Sequence, residues 1–525
     1  MTGAPVRISL NIRHRVALAA LMALYFSVSL TNLAVVPPIH EDEAWQASVG
    51  WKLATEGVFG SDMFAGLGRA DERYYGFLPV HPMLLAATFR VAGLGLLQTR
   101  LETVLLGAIV LMLTYTVGRR LWSPAAGIVA VAFLLLVRLD PITRMTPTGI
   151  LFLDAPRIGR YDAAVPVFGL AALLAFLIAG EKDKRSPAAS AWYAGSGLLA
   201  ATAALTHVYG AFWLAVIILL AIMNRAGLRN ILTVSIAFLV PCLAYVAYVL
   251  QDVAAWRVQT DIYKPRFGLL TPSWYASNIM REPFRYTPGR GEDLRWLLRP
   301  GLWFGYGAIA TGLFILARRM RTDLSARAVV VAGVALPLLF ATLVTAKTRN
   351  YKMAFLPVWA IAAAWAACEL WQRSRGRREI RAVLVAIGIV VAVEGLTSTR
   401  NIVTSGATTT PYSSYIDRVH AHIRPGERVL GLHAYWLGLE DTDFHSWYVP
   451  TTLFEPSRSG RPSPPLVIGT DPDVVLVDAR MRVFLDRSAT GDPRAQAVEA
   501  WMKPWSLVAS VQDSTYGRME IYRKR

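Results

Sequence analysis

Cysteine and charge are both scarce in this chain of 525 residues. Its two cysteines, Cys242 and Cys368, each lie inside an apolar run, so neither a disulfide framework nor a Cys-based metal site organises it. Charged residues make up 17% of the sequence against 54% hydrophobic ones, with a mean hydropathy of +0.39, a balance that excludes an ordinary soluble protein. There is no glycine-rich phosphate loop, HExxH pair, zinc-ligand cluster or nucleophile elbow, which disfavours nucleotide-driven chemistry. Internal repeats and low-complexity tracts are also missing. The net charge of +18 is spread in short clusters between apolar runs instead of forming one patch, which argues against a nucleic-acid partner.

What the sequence does hold is a series of runs long enough to cross a bilayer. They begin near Val16, Leu101, Ala125, Ala163, Ser190, Ala211, Ile231, Leu302, Ala328, Ala354 and Ala382, giving about eleven transmembrane helices. Arg7, Arg13 and Arg15 precede the first run, Val16 to Val36, which at about 20 residues reads as a retained helix and not a cleaved signal. The segment His81 to Leu97 is broken by Arg90 and glycines, and is expected to lie at the interface. With the amino terminus cytoplasmic, the inner loops are then Arg119-Arg120, Lys182 to Arg185, Arg225/Arg229, Arg318 to Arg327 and Arg373 to Arg381. All are basic, as the positive-inside rule requires. Counting His81 to Leu97 as a span would turn every one of them outward.

This topology places the remaining loops outside: Ile39 to Arg100, Asp140 to Asp162, a turn at His207, Gln251 to Pro300, Lys347 to Lys352, and everything after Thr397. Residues 1–397 read as a multi-pass transmembrane domain in the inner (plasma) membrane. Residues 398–525 read as an extracytoplasmic α/β domain, with short strands at Val429 to Leu432 and Val474 to Val477, a helix from Arg494 to Met502 and a closing hairpin from Ser506 to Tyr522.

Chemistry is concentrated in three outer segments. Pro37-Pro38-Ile39-His40-Glu41-Asp42-Glu43 sets three acids in the first turn of a helix, more than a helix dipole or cap needs. Neighbours on a helix point about 100° apart, so only one of them faces a given cleft, and Asp42 is the preferred one with Glu43 in support. Arg160-Tyr161-Asp162 stands just before a later span. It forms either an interfacial ion pair or a cleft in which Asp162 positions a hydroxyl or a divalent cation while Arg160 contacts phosphate or carboxylate. Lys347 and Arg349 run against the positive-inside trend and, together with Tyr351, suit an anionic head group. His207 breaks two apolar runs and is either a polar anchor or a binding residue. Arg266, Arg281, Arg285 and Arg290, mixed with Tyr263, Trp274, Tyr275 and Tyr286, read as an aromatic belt or as a lid that orders on a lipid-linked substrate.

In order and sidedness these motifs resemble the GT-C glycosyltransferases, and within them the protein O-mannosyltransferase and lipid A aminoarabinose transferase group. The likeness covers Val16 to Trp371 and rests on Asp42-Glu43, Arg160-Tyr161-Asp162 and the Arg349-Asn350-Tyr351 turn leading into Pro357. It implies a polyprenyl-monophosphate sugar donor, a glycan, lipid or protein acceptor, and an inverting transfer in which Asp42 is the general base. Catalytic candidates are thus Asp42, Glu43 and Asp162. Substrate-binding candidates are Arg160, His207, Lys347, Arg349 and Tyr351, with His207 standing where related sequences often carry lysine. The one cofactor the reading admits is a divalent cation, Mg or Mn, between Asp42 and Asp162. The alternatives are a transporter or flippase of lipid-linked sugar and a non-catalytic envelope-assembly subunit. Transporters place ionisable groups at mid-membrane and show paired repeats, which this chain does not.

Overall fold

A computed structural model of the chain describes residues 12–287, 294–453 and 471–524. Arg7 and Arg290, used above for topology and for the basic-aromatic loop, lie outside the described residues. Each of the eleven apolar runs contains a helix: Ile12–Leu30, Leu96–Leu121, Pro124–Leu136, Ala164–Gly180, Pro187–Thr206, Phe212–Met223, Leu228–Leu250, Pro300–Arg319, Leu324–Leu343, Leu356–Arg373 and Arg378–Thr408. Among the described residues, those starting at Leu96, Leu228, Pro300, Leu324 and Arg378 are long and apolar enough to cross a bilayer. The segment expected at the interface forms the 13-residue helix Val80–Ala92, about 20 Å long and too short to span.

Solvation follows from the sequence of these helices. Leu228–Leu250 leaves Leu232, Ile236, Leu239, Val240 and Leu243 uncovered, and Arg378–Thr408 leaves Val383, Ile389 and Val393 uncovered. Apolar stripes of that extent are untenable in water and ordinary against lipid tails. Where helices meet each other, small residues permit close approach: a Cβ on Gly197 would strike the Val234 carbonyl, and one on Gly312 the Ala362 carbonyl.

The basic loops are joined at one end of the bundle. Arg120 pairs with Glu181, Lys184 donates to the Arg225 carbonyl at 2.8 Å, Arg327 donates to the Met223 carbonyl at 3.0 Å, and Arg319 and Arg373 share Glu369. The clusters assigned above to one side are therefore on one side of the molecule.

Beyond Thr397 the last apolar helix continues to Thr408 and leads into a five-stranded sheet. Its strands are β1 (Arg428–Gly431), β2 (Asp443–Ser446), β3 (Val474–Val477), β4 (Trp505–Asp513) and β5 (Gly517–Lys524), in the order β2-β1-β3-β5-β4. The first three are parallel and the final hairpin antiparallel. One hydrophobic core joins this sheet to the first long loop: Ala44, Ala47, Phe64, Tyr74 and Phe89 pack with Ile416, Val429, Tyr435, Phe444 and Ile521. The sheet is thereby seated directly over the helix that begins with the acidic triplet.

Candidate active site

His40 caps the helix Glu41–Thr55. Its Nδ1 accepts from the Asp42 amide at 3.1 Å, and the Glu43 carboxylate accepts from the His40 amide at 2.7 Å, a reciprocal capping box. The three acids then diverge. Glu41 turns to the carboxyl-terminal region and pairs with Arg480 at 2.8 Å. Glu43 is fully buried and takes Arg100 bidentately at 2.7 and 2.9 Å, while its Oε1 also accepts from the Gly159 amide at 2.9 Å. Asp42 alone reaches the wall of a cavity of about 800 Å³. Glu43, expected among the catalytic residues, faces away from that cavity. With four hydrogen bonds accepted from Arg100, Gly159 and His40, it ties the acidic helix to the loop bearing Arg160.

That loop is fixed by a second buried arginine. Arg157 donates to the carbonyls of Val28 and Ser29 in the last turn of the first helix and of Thr31 and Val36 just beyond it. Three residues on, Arg160 lies between two carboxylates, 3.3 Å from Asp42 Oδ2 and 3.2 Å from Asp162 Oδ2. Burial raises the Asp162 carboxyl above its usual range despite the opposing pull of Arg160, with Asp42 adding to the rise. Asp42 Oδ1 has no partner among the described residues and remains available to a ligand.

The structure brings Asp42, Arg160, His207 and Tyr351 onto the same cavity, with Asp162 behind Arg160. His207 stacks on Tyr161 at 4.2 Å between centroids, and Tyr161 and Tyr351 face each other across 3.4 Å between hydroxyls. Burial, with Arg160 and Arg266 nearby, pushes the His207 imidazole down to about 3. It is neutral at pH 7 and serves as a hydrogen-bonding ring, not as the cation that a lysine at this position would supply.

Lys347 and Arg349 do not line the cavity. Lys347 pairs with Glu282 at 2.8 Å and donates to the Ala341 carbonyl at 3.0 Å, while Arg349 donates to the Thr287 carbonyl at 2.9 Å. The positive side chains that reach the cavity besides Arg160 are Arg257, Lys264 and Arg266, on the segment Val253–Arg266. Arg266 sits over the Tyr263 ring at 4.9 Å, the pair that sequence reading left between belt and lid. Sequence reading also missed His81, which lines the cavity while lying 3.4 Å from Glu102 in a buried pair. Its one signal is that it opens the short helix Val80–Ala92, a segment taken only as an interfacial anchor.

The two carboxylates offered as a cation site do not suit one. Arg160 already spans them, and among the described residues no group of three His, Cys, Asp or Glu side chains is placed to hold a metal ion. A divalent ion there would have to displace the guanidinium.

Solved structures share this architecture over nearly the whole chain. ArnT from Cupriavidus metallidurans, bound to undecaprenyl phosphate, matches with a TM-score of 0.58 at 14% identity over 97% of this chain and 97% of its own. The Archaeoglobus fulgidus oligosaccharyltransferase AglB, in complex with an inhibitory peptide and a dolichol-phosphate, gives 0.57 at 11% identity over 97% of this chain and 74% of that one. The same A. fulgidus enzyme in complex with Zn and sulfate gives 0.54 at 10% identity, covering 96% and 72%. No family model matches the sequence, and no characterised protein matches it by sequence alone. The chain shares the fold of these solved structures.

Proposed function

We propose that the protein is a multi-pass membrane glycosyltransferase. It moves a sugar from a polyprenyl-monophosphate carrier to an acceptor hydroxyl on the extracytoplasmic face of the inner membrane. The observation that carries the reading is Asp42: it is the one acid of the triplet on the wall of the large cavity, with one oxygen held by Arg160 and the other open. Support comes from the fold, whose solved examples include one bound to undecaprenyl phosphate and one in complex with a dolichol-phosphate.

Asp42 Oδ1 takes the proton from the acceptor hydroxyl as that oxygen attacks the anomeric carbon. The carbon–oxygen bond to phosphate breaks in the same step, polyprenyl phosphate leaves with the electron pair, and the anomeric centre inverts. Arg160, balanced between Asp42 and Asp162, fixes the orientation of the base. Phosphate is a good leaving group, so positive charge suffices in place of a general acid. Arg266 and Lys264 supply that charge in this proposal, while the Tyr161, His207 and Tyr351 group shapes the sugar-facing wall.

Transfer of labelled sugar from a synthetic polyprenyl-phosphate donor by the purified wild type, lost in Asp42→Asn, tests this reading. Equal activity in the two, or movement of the lipid across a bilayer without sugar transfer, would overturn it. A cysteine introduced at the exposed Lys264, in a chain lacking Cys242 and Cys368, is expected to react with an impermeant thiol reagent from outside whole cells. Protection there would place the cavity on the wrong face.

A further inference from the structure

A second cavity, of about 480 Å³, opens beside the first, between the acidic helix and the carboxyl-terminal sheet. Glu41 lines it, one residue before Asp42, which lines the first. Ile262 is common to both walls, and Trp45 of the first cavity packs on His433 of the second at 5.0 Å between ring centroids. A single turn of helix thus separates the proposed base from this second space.

Its charge is positive. Arg480, Arg487 and Arg494 line it against the one carboxylate of Glu41. Arg480 is engaged by Glu41 at 2.8 Å, and Arg487 is exposed with no side-chain partner among the described residues. At the base, His433 is buried; its Nδ1 lies 3.4 Å from Ser446 Oγ, and its Nε2 is left without a hydrogen bond, 4.0 Å from Glu41. Tyr448 supplies an aromatic wall. A buried, unsatisfied imidazole nitrogen beneath a ring of arginines is a setting that an anion completes.

We infer that this second cavity holds the acceptor by an anionic group, a phosphate or a carboxylate on a sugar, and so presents a neighbouring hydroxyl to Asp42. The inference rests on the transferase reading for the word acceptor, and on the cavity alone for its anion preference. Glu41 competes with the ligand for Arg480, so its role is to hold the arginine in place while the cavity is empty.

The test uses the full-length purified protein and three probes: glucose 6-phosphate, glucuronate and glucose, with binding followed by calorimetry. Wild type is expected to bind at least one of the charged probes and to discriminate against glucose. Comparing the two charged probes assigns the group as phosphate or carboxylate. Arg480→Ala combined with Arg487→Ala, both at exposed side chains, is expected to weaken the charged probe about tenfold or more, and Glu41→Gln to tighten it. Equal binding of all three probes, or unchanged binding in the double variant, would overturn the inference, as would Glu41→Gln weakening the probe as much as the double variant does. Acceptor-independent hydrolysis of the lipid-linked donor, compared between wild type and Asp42→Asn, tests the transferase reading without the second cavity. Charged-probe binding in a protein with no donor turnover would sink the transferase reading and leave the anion site standing.

Discussion

The acidic triplet and the Lys347 to Tyr351 turn are both short charged segments at the same cavity, and they use their charges in opposite ways. On a helix, consecutive residues radiate, so Glu41, Asp42 and Glu43 find three separate partners in Arg480, Arg160 and Arg100. In the turn, the cations fold back on their own surroundings: Lys347 onto Glu282, Arg349 onto a backbone carbonyl, Lys352 onto Asp140. Only Thr348 and Tyr351 of that segment reach the cavity. Charge at a helix start is presented to whatever lies around it, whereas charge in a buried turn is neutralised by the packing that buries it.

The largest expected effect tests the presented half of this contrast. Asp42→Asn should lower the transfer rate by about 10²–10⁴-fold, the range for loss of a general base, with thermal stability close to wild type because Asp42 is partly exposed, lies 3.8 Å from His40, and pairs with an Arg160 that keeps Asp162. Glu43→Gln should behave in the reverse sense. Arg100, with no solvent exposure, would be left without its counter-charge, at a cost of about 3–5 kcal/mol in denaturant or thermal unfolding. The folded fraction should lose far less activity than Asp42→Asn does. If Glu43→Gln were stable and inactive, the two neighbours would have exchanged roles.

The neutralised half is tested by Lys347→Ala, which should cost only about 0.5–1.5 kcal/mol, because Arg285 still holds Glu282 at 2.7 and 3.2 Å, while leaving the KM for the lipid donor unchanged. Arg266→Ala, at an exposed side chain on the cavity, should do the opposite, lowering kcat/KM about tenfold with little change in stability. A donor KM that follows Lys347 and ignores Arg266 would restore the turn as the phosphate site.

These contrasts also mark how far the residues could be read in order. Every apolar run became a helix because burial of such runs is decided by composition, and Val474 to Val477 could be seen as a strand for the same reason. Strand β2, Asp-Phe-His-Ser, could not: its polar residues find Arg428 and one another only once β1 lies beside it. Asp42, Arg160 and Asp162 stood out because acids and an arginine at helix ends have no role in insertion. What stayed hidden was pairing over distance. Lys352 and Asp140 are 212 residues apart and Glu43 and Arg100 are 57 apart, and no local pattern says that a cation will be claimed by a remote acid. The Lys347 turn was therefore overvalued and the Val253–Arg266 segment undervalued.

The smallest effect is expected at His207, where the two regions meet, since its ring stacks on Tyr161 and lies 6.0 Å from Tyr351. Burial lowers its proton affinity from 6.5 to about 3 in the folded state. Between those two values the unfolded chain binds a proton that the folded one refuses, so stability falls as pH falls through that window and is fully present above it. His207→Asn removes this linkage. Thermal unfolding followed from pH 7 downward should then show a shallower acid decline in the variant than in wild type, with transfer activity at pH 7 reduced only modestly. Superimposable acid limbs would mean that the imidazole is protonated in the folded protein after all, and a charged His207 would belong with Arg160 and Arg266 among the groups that meet the donor phosphate.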